Sequence, residues 1–231
     1  MESPLAKLRF SNLKVVPRTT RTTHATVTEY LRQAILLGQL PGGTRLVQSD
    51  LAEAFNVSVT PIREALRELS SQGLIELDAF KGATVRMPTL SELEEIYELR
   101  SVLIPLSVQE GMNRITAEDL HQADTILTQM ESSSSPEEWV DLNRKFHTLL
   151  DQTAANRLLR QYLVHLSDLS AVYINLSLKE EPLRKEISQR EHRDILQAYI
   201  NRDVKTATQL ILNHLTSTLE TDRAALIKQD L

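Results

Sequence analysis

The stretch SDLAEAFNVSVTPIREALRELSSQG, residues 49–73, constrains this chain more than any other, because its apolar residues fall into two short helical patterns joined by a tight polar turn. Ser49 is placed to cap the first helix, which turns Leu51, Ala52 and Phe55 inward, and Asn56-Val57-Ser58 forms the turn. Pro61 suits the first turn of the second helix, where its missing N–H leaves nothing unpaired. There Ile62, Ala65, Leu66 and Leu69 recur at helical spacing, which leaves Thr60, Arg63, Glu64 and Arg67 on the outer face. Arginines four residues apart on one face describe either an ordinary solvated helix or a helix that reads a DNA groove.

The residues that follow favour the groove. Leu74 to Leu77 and Ala83 to Met87 alternate or run apolar as strands do, with Phe80-Lys81-Gly82 between them as a hairpin tip. A hairpin behind a recognition helix is a wing. Gly82 there lets backbone approach a phosphate without a side chain in the way, and Lys81 adds a positive charge. Ahead of the two-helix unit, Val27 to Leu37 forms another amphipathic helix, ended by Gly38 and Pro41-Gly42-Gly43. Residues 24–88 therefore describe a winged helix-turn-helix, preceded at 1–23 by a basic arm in which Arg18 and Arg21 could reach DNA and for which disorder is the alternative.

Charge is distributed to match. The net charge of −5 argues weakly against a nucleic-acid partner, but residues 1–88 carry 11 Lys/Arg against 8 Asp/Glu while the remainder carries 15 against 23. A basic head on an acidic body lets one end approach DNA. The absence of cysteine excludes disulfides and thiolate metal sites. No apolar run approaches the roughly 20 residues of a membrane span, and with no signal-peptide pattern the cytoplasm is the expected location.

Beyond Pro88 the chain reads as helix throughout. Thr89 to Glu92 offers a cap, Leu93, Ile96, Leu99 and Leu103 form an inward stripe, and Pro105 is expected to kink or interrupt that helix. Further helices are expected from Thr116 to Met130, Glu137 to Ala154, Arg157 to Leu178, Glu181 to Asn201 and Val204 to Lys228. Six helices with short connections make an antiparallel bundle over 89–231. Asn143 and His147 are four apart on one helix face, and His192 and His214 come from the last two helices. Three imidazoles and an oxygen donor, without thiolate, suit a divalent metal such as zinc, nickel, manganese or iron(II). Core histidines bonded to neighbours are the alternative.

The run LAEAFNVSVTPIREALRELSSQGLI resembles the DNA-binding domain of the GntR family of bacterial transcription regulators. The resemblance implies DNA contacts by Thr60 and Arg63 and by Gly82 in the wing, within an expected contact set of Ser49, Thr60, Arg63, Arg67, Lys81 and Gly82. Val59 departs from the family, which usually has arginine there. A guanidinium pairs bidentately with guanine, whereas valine makes only apolar contact, so the operator preference shifts. The segments WVDLNRKFHTLLDQTAANRLL and REHRDILQAYINRDVKTATQLILNHL resemble the C-terminal FCD domain of the FadR subfamily, and the six-helix count is similar to its VanR-type branch, whose effectors are small organic acids.

The FCD resemblance implies a metal held by Asn143, His147, His192 and His214, with Asn143 where aspartate is common. It further implies that Arg100 points into the same cavity and, with Asn143, binds a carboxylate effector. A surface arginine paired with Glu95 or Glu98 is the alternative for Arg100. The expected protein is a homodimeric repressor that binds a duplex operator and responds to a small carboxylate bound with a metal. A metal-dependent hydrolase or lyase fused to a DNA-binding domain is the competing class, disfavoured because neither HExxH nor a nucleophile elbow occurs.

Overall fold

The computed structural model describes residues 23–78, 82–181 and 183–229. The chain divides into two compact units that meet between Met87 and Pro88.

The first unit contains α1 (Thr23–Leu36), β1 (Arg45–Leu46), α2 (Gln48–Phe55), α3 (Val59–Ser71), β2 (Ile75–Asp78) and β3 (Gly82–Val85). Its core is apolar and closed, with Leu31, Leu51, Ile62, Ala65 and Leu69 fully buried. Thr28 Oγ1 donates to Glu68 Oε2 at 3.3 Å and His24 Nε2 lies 2.9 Å from the same oxygen, tying α1 to α3. The expected hairpin forms, β2 pairing antiparallel with β3 in the register Ile75–Val85 and Asp78–Gly82. Gly82 is the first residue of β3 rather than part of the tip, and its φ of +82° is a conformation that only glycine adopts without strain. A third strand, β1, pairs with β3 and gives the order β1-β3-β2; two residues are too few to show alternation in sequence. Lys81 and the arm through Arg21 lie outside the described residues.

Two details of the helix-turn-helix differ from expectation. The helix begins two residues early, at Gln48 with Val47 at its N-cap, so Ser49 sits inside the first turn and its hydroxyl donates to Asp50 Oδ1 at 3.0 Å instead of capping. Asp50 in that turn offers the opening N–H groups a negative charge in place of a cap. Phe55 is half-buried, edge-on to Tyr30 with ring centroids 5.4 Å apart. Asn56 closes α2 in the left-handed conformation, φ +51°, and Val57 N–H reaches back to the Ala52 carbonyl at 3.0 Å. That conformation makes the turn tight.

The second unit consists of α4 (Leu90–Gly111), α5 (Ala117–Ser132), α6 (Pro136–Asp151), α7 (Arg157–Glu180), α8 (Leu183–Ile200) and α9 (Val204–Gln229). Local signals start several of them. Thr89 accepts from Glu92 N–H at 3.3 Å, Thr116 and Asp119 form a reciprocal capping box, Pro136 follows the Ser135 cap, and Asn156 Oδ1 accepts from Leu158 and Leu159 N–H. α4 packs against α7 and α9, α6 against α5 and α7, and α8 against α5 and α9. No helix among the described residues is long and apolar enough to cross a membrane.

α4 corrects two expectations. It runs through Pro105 without interruption, and its inward face is Leu93, Ile96, Tyr97, Arg100, Ile104, Ser107 and Val108. Leu99 is 53% exposed and Leu103 only half-buried, because the helix is rotated to bring Arg100 and Ser107 inside.

Replacing Asn56 by alanine should lower the stability of the first unit by about 1 kcal/mol, since a Cβ with no polar side chain is disfavoured at positive φ, and Asn56→Gly should cost less. Thermal melting of the two variants checks this, and equal losses would contradict the role given to the turn.

Candidate functional site

α6 presents Asn143 and His147 one turn apart on its buried face, α8 supplies His192, and α9 supplies His214. The imidazoles turn the same atom toward one another. His147 Nε2 is 3.1 Å from His192 Nε2, which is 3.3 Å from His214 Nε2, and the ligand atoms of all three residues lie within 4.8 Å of each other. Nitrogens bonded at about 2.0–2.1 Å to a tetrahedral zinc are themselves about 3.3–3.4 Å apart, so the spacing suits one shared ion.

Protons alone cannot satisfy this arrangement. His192 Nε2 can share a hydrogen with one neighbour at a time, whereas a cation accepts all three lone pairs at once. Burial is the main cause that holds His147 and His192 well below the usual histidine pKa, with charge on neighbouring groups adding to it; both are therefore neutral, as a ligand must be. His214 is also lowered, by burial, with Glu191 opposing. Asn143 Oδ1 is buried without a hydrogen-bond partner among the described residues, and Asn143 and His147 line a common cavity. An orphaned amide oxygen beside three converging imidazoles fits a metal, with Asn143, His147, His192 and His214 as the residues that would hold it.

Arg100 lines the same cavity from α4 and is only 4% exposed, which overturns the alternative of a surface arginine paired with Glu95 or Glu98. Its Nη1 donates to Ser170 Oγ on α7 at 2.9 Å, its guanidinium stands 5.5 Å from the Tyr97 ring centroid, and its Nε has no partner. Among the described residues it forms no ion pair. Asp151 and Asp222 feel its charge, and burial pushes their carboxyls up to about 7 and about 6, but neither forms an ion pair with it among the described residues. Ser167, Ser177, Ser188 and Thr218 also line this cavity.

Two residues beyond the expected set join the site. Glu191 Oε2 is 2.6 Å from His214 Nδ1, and Arg184 grips both Glu191 oxygens at 3.1 and 2.8 Å while donating to Thr218 Oγ1 at 2.9 Å. Burial raises the Glu191 carboxyl, but the hydrogen bonds from His214 and Arg184 outweigh it and hold the pKa at about 2. In sequence Glu191 shows only as a neighbour of His192, and Arg184 is one charge among many in LRKEISQREHRD. His24, His121 and His165 do not join the cluster. In the first unit Thr60, Arg63 and Arg67 are exposed on α3, Val59 is 39% exposed at its start, and Ser49 and Gly82 are exposed.

Comparison with known proteins follows the same division. Residues 23–85 match the bacterial regulatory proteins, gntR family, and residues 95–217 match the FCD domain. The chain is 31% identical over 194 residues to the HTH-type transcriptional regulator YdhC of Bacillus subtilis, covering 82% of this chain and 86% of that protein. It is 27% identical over 197 residues to the HTH-type transcriptional repressor GlaR of Escherichia coli, covering 80% and 89%. The solved structure of McbR/YncC from Escherichia coli shares the fold, with a TM-score of 0.79 over 92% of this chain and 100% of that one at 21% identity. These matches make the chain a DNA-binding transcription regulator rather than an enzyme, and it belongs to the GntR family, with a C-terminal FCD domain of the FadR-like kind.

Proposed function

We propose that this regulator is a homodimeric repressor whose hold on its operator is set by a small organic acid bound beside a divalent metal in the second unit. The observation that carries the reading is Arg100: a buried guanidinium with an unpaired Nε and no carboxylate partner among the described residues, on the wall of the cavity that Asn143 and His147 also line. A buried charge without a partner is unfavourable, and a carboxylate entering the cavity supplies one. Three neutral imidazoles and a neutral amide leave the charge of a divalent ion undiminished, which favours an anion further. Repressors among the relatives, GlaR included, support the sign of regulation.

The homodimer is supported by the second unit's surface. Leu99, Val102 and Leu106 on α4 are 53%, 69% and 43% exposed, and Leu158 and Tyr162 on α7, the helix packed against α4, are 53% and 61% exposed. Large apolar side chains exposed on two helices that pack together suit an association surface, and a two-fold protein suits a pseudo-palindromic operator. α4 starts at Leu90, five residues after β3 ends at Val85, and carries both Arg100 and this outer stripe. Ligand that draws on Arg100 thereby acts on a helix continuous in sequence with the wing, and it shifts operator affinity by its preference between two dimer arrangements, typically about 1–3 kcal/mol.

In operator titrations followed by fluorescence anisotropy, Arg63→Ala should weaken binding by about 1–3 kcal/mol and relax base preference. Arg100→Ala should bind the operator as the parent does but need far more acid to release it. Parent-like affinity in the first variant would remove α3 as the reading helix, and a parent-like acid response in the second would remove Arg100 from the effector site.

For the metal, His147→Ala, His192→Ala and His214→Ala should each lower the metal content found by elemental analysis and the melting temperature lost to a chelator. Asn143→Asp should tighten metal binding and weaken the response to acid. No stoichiometric metal in reconstituted parent, or loss in one histidine variant alone, would make these residues a core cluster.

A further inference from the structure

The second nitrogen of His214 carries information that the ligand set alone does not. Glu191, paired through both oxygens with Arg184, is a carboxylate and can only accept, so the 2.6 Å contact requires a hydrogen on His214 Nδ1. Nε2 of that ring is then bare and faces His192 Nε2 at 3.3 Å. Arg184 is buried, lines the cavity, and reaches Thr218 on the helix that bears His214, so the carboxylate is braced from α8 and α9 together.

We infer that Glu191 is the outer-sphere partner of the metal centre and that Arg184 positions it: Glu191 locks His214 in the tautomer that ligates through Nε2. This rests on the metal reading above. Outer-sphere carboxylates on ligating histidines raise their basicity and fix their orientation, and losing one weakens metal binding about 10–100-fold. His147 and His192 have no comparable carboxylate within ion-pair distance among the described residues, which makes His214 the strongest donor of the three. Arg184 adds a link between the cavity and the ion, because the guanidinium that borders the anion's space is the one that holds Glu191.

Zinc affinity of the full-length protein, measured by competition with a chromogenic chelator, tests the inference together with the absorption spectrum of the cobalt-loaded form. Glu191→Gln should lose at least tenfold in zinc affinity and shift the cobalt bands, Glu191→Asp should recover part of the loss, and Arg184→Gln should weaken zinc in the parent background but not further in Glu191→Gln. Parent that binds zinc, with Glu191→Gln binding equally well and an unchanged cobalt spectrum, would overturn the inference and leave the metal site standing. Parent that binds no zinc would overturn the metal reading itself. Nitrogen-15 NMR of the unmutated, metal-free protein gives a test that needs no variant to fold: His214 should be the Nδ1–H tautomer, and the Nε2–H tautomer would contradict the role given to Glu191.

Discussion

The second unit buries a guanidinium, Arg100, that no carboxylate among the described residues pairs with directly. Arg100 stands where a simple bundle would place an aliphatic side chain, and the rotation of α4 that brings it inside also turns Tyr97, Ile104 and Ser107 inward while leaving Leu99, Val102 and Leu106 outside. The surroundings soften the burial without cancelling it. Ser170 accepts one hydrogen bond, the Tyr97 ring lies alongside, and Asp222, although bonded to Tyr97 at 2.9 Å, has its carboxyl pushed up to about 6 by burial. On the function proposed above, a site in this condition is prepared for an anion, as a preorganised dipole is prepared for charge still to come.

The three imidazoles obey the opposite logic: here the unmet demand is for positive charge. Their converging Nε2 atoms and the orphaned Asn143 oxygen leave acceptors facing one another, and Glu191, in contact with His214 Nδ1, takes up the hydrogen on that ring's far side. Lone pairs that want a cation and a guanidinium that wants an anion thus share one bundle. Each ligand would lessen the repulsion or desolvation that the other meets, which is the physical content of coupling between them.

The DNA-binding half was legible because its signals are local. Helical spacing at Ile62, Ala65, Leu66 and Leu69, the Thr-Pro opening of α3 and the strand pattern after Gly73 depend on neighbours within a turn or two; the helix appears where the pattern places it, and the two strands form with bounds moved by one or two residues, to Ile75–Asp78 and Gly82–Val85. Failures within that half are local as well: Ser49 has the chemistry of a cap, but the helix starts a residue before it, and β1 is too short to carry a pattern. In the bundle, Asn143, His147, His192 and His214 were readable as a candidate ligand set from their helices, and the resemblance to FCD domains drew in Arg100. The rotation of α4 was not readable, because Leu93, Ile96, Leu99 and Leu103 make as good a stripe as the true one, and only packing against α7 and α9 chooses between them. Arg184 and Glu191 were hidden for a related reason. Their pairing spans two turns of a helix crowded with charge, and nothing but the position of His214 on α9 singles them out.

The central claim is that metal and acid occupy one cavity and depend on each other. Calorimetric titration of small mono-, di- and tricarboxylic acids into zinc-loaded and metal-free protein measures that dependence directly. The account predicts at least one acid that binds the zinc-loaded form tenfold or more tightly than the metal-free form, with zinc affinity raised by the same factor when that acid is present, as linkage requires. Equal affinity for the two forms, or no acid bound by the zinc-loaded protein, would contradict it.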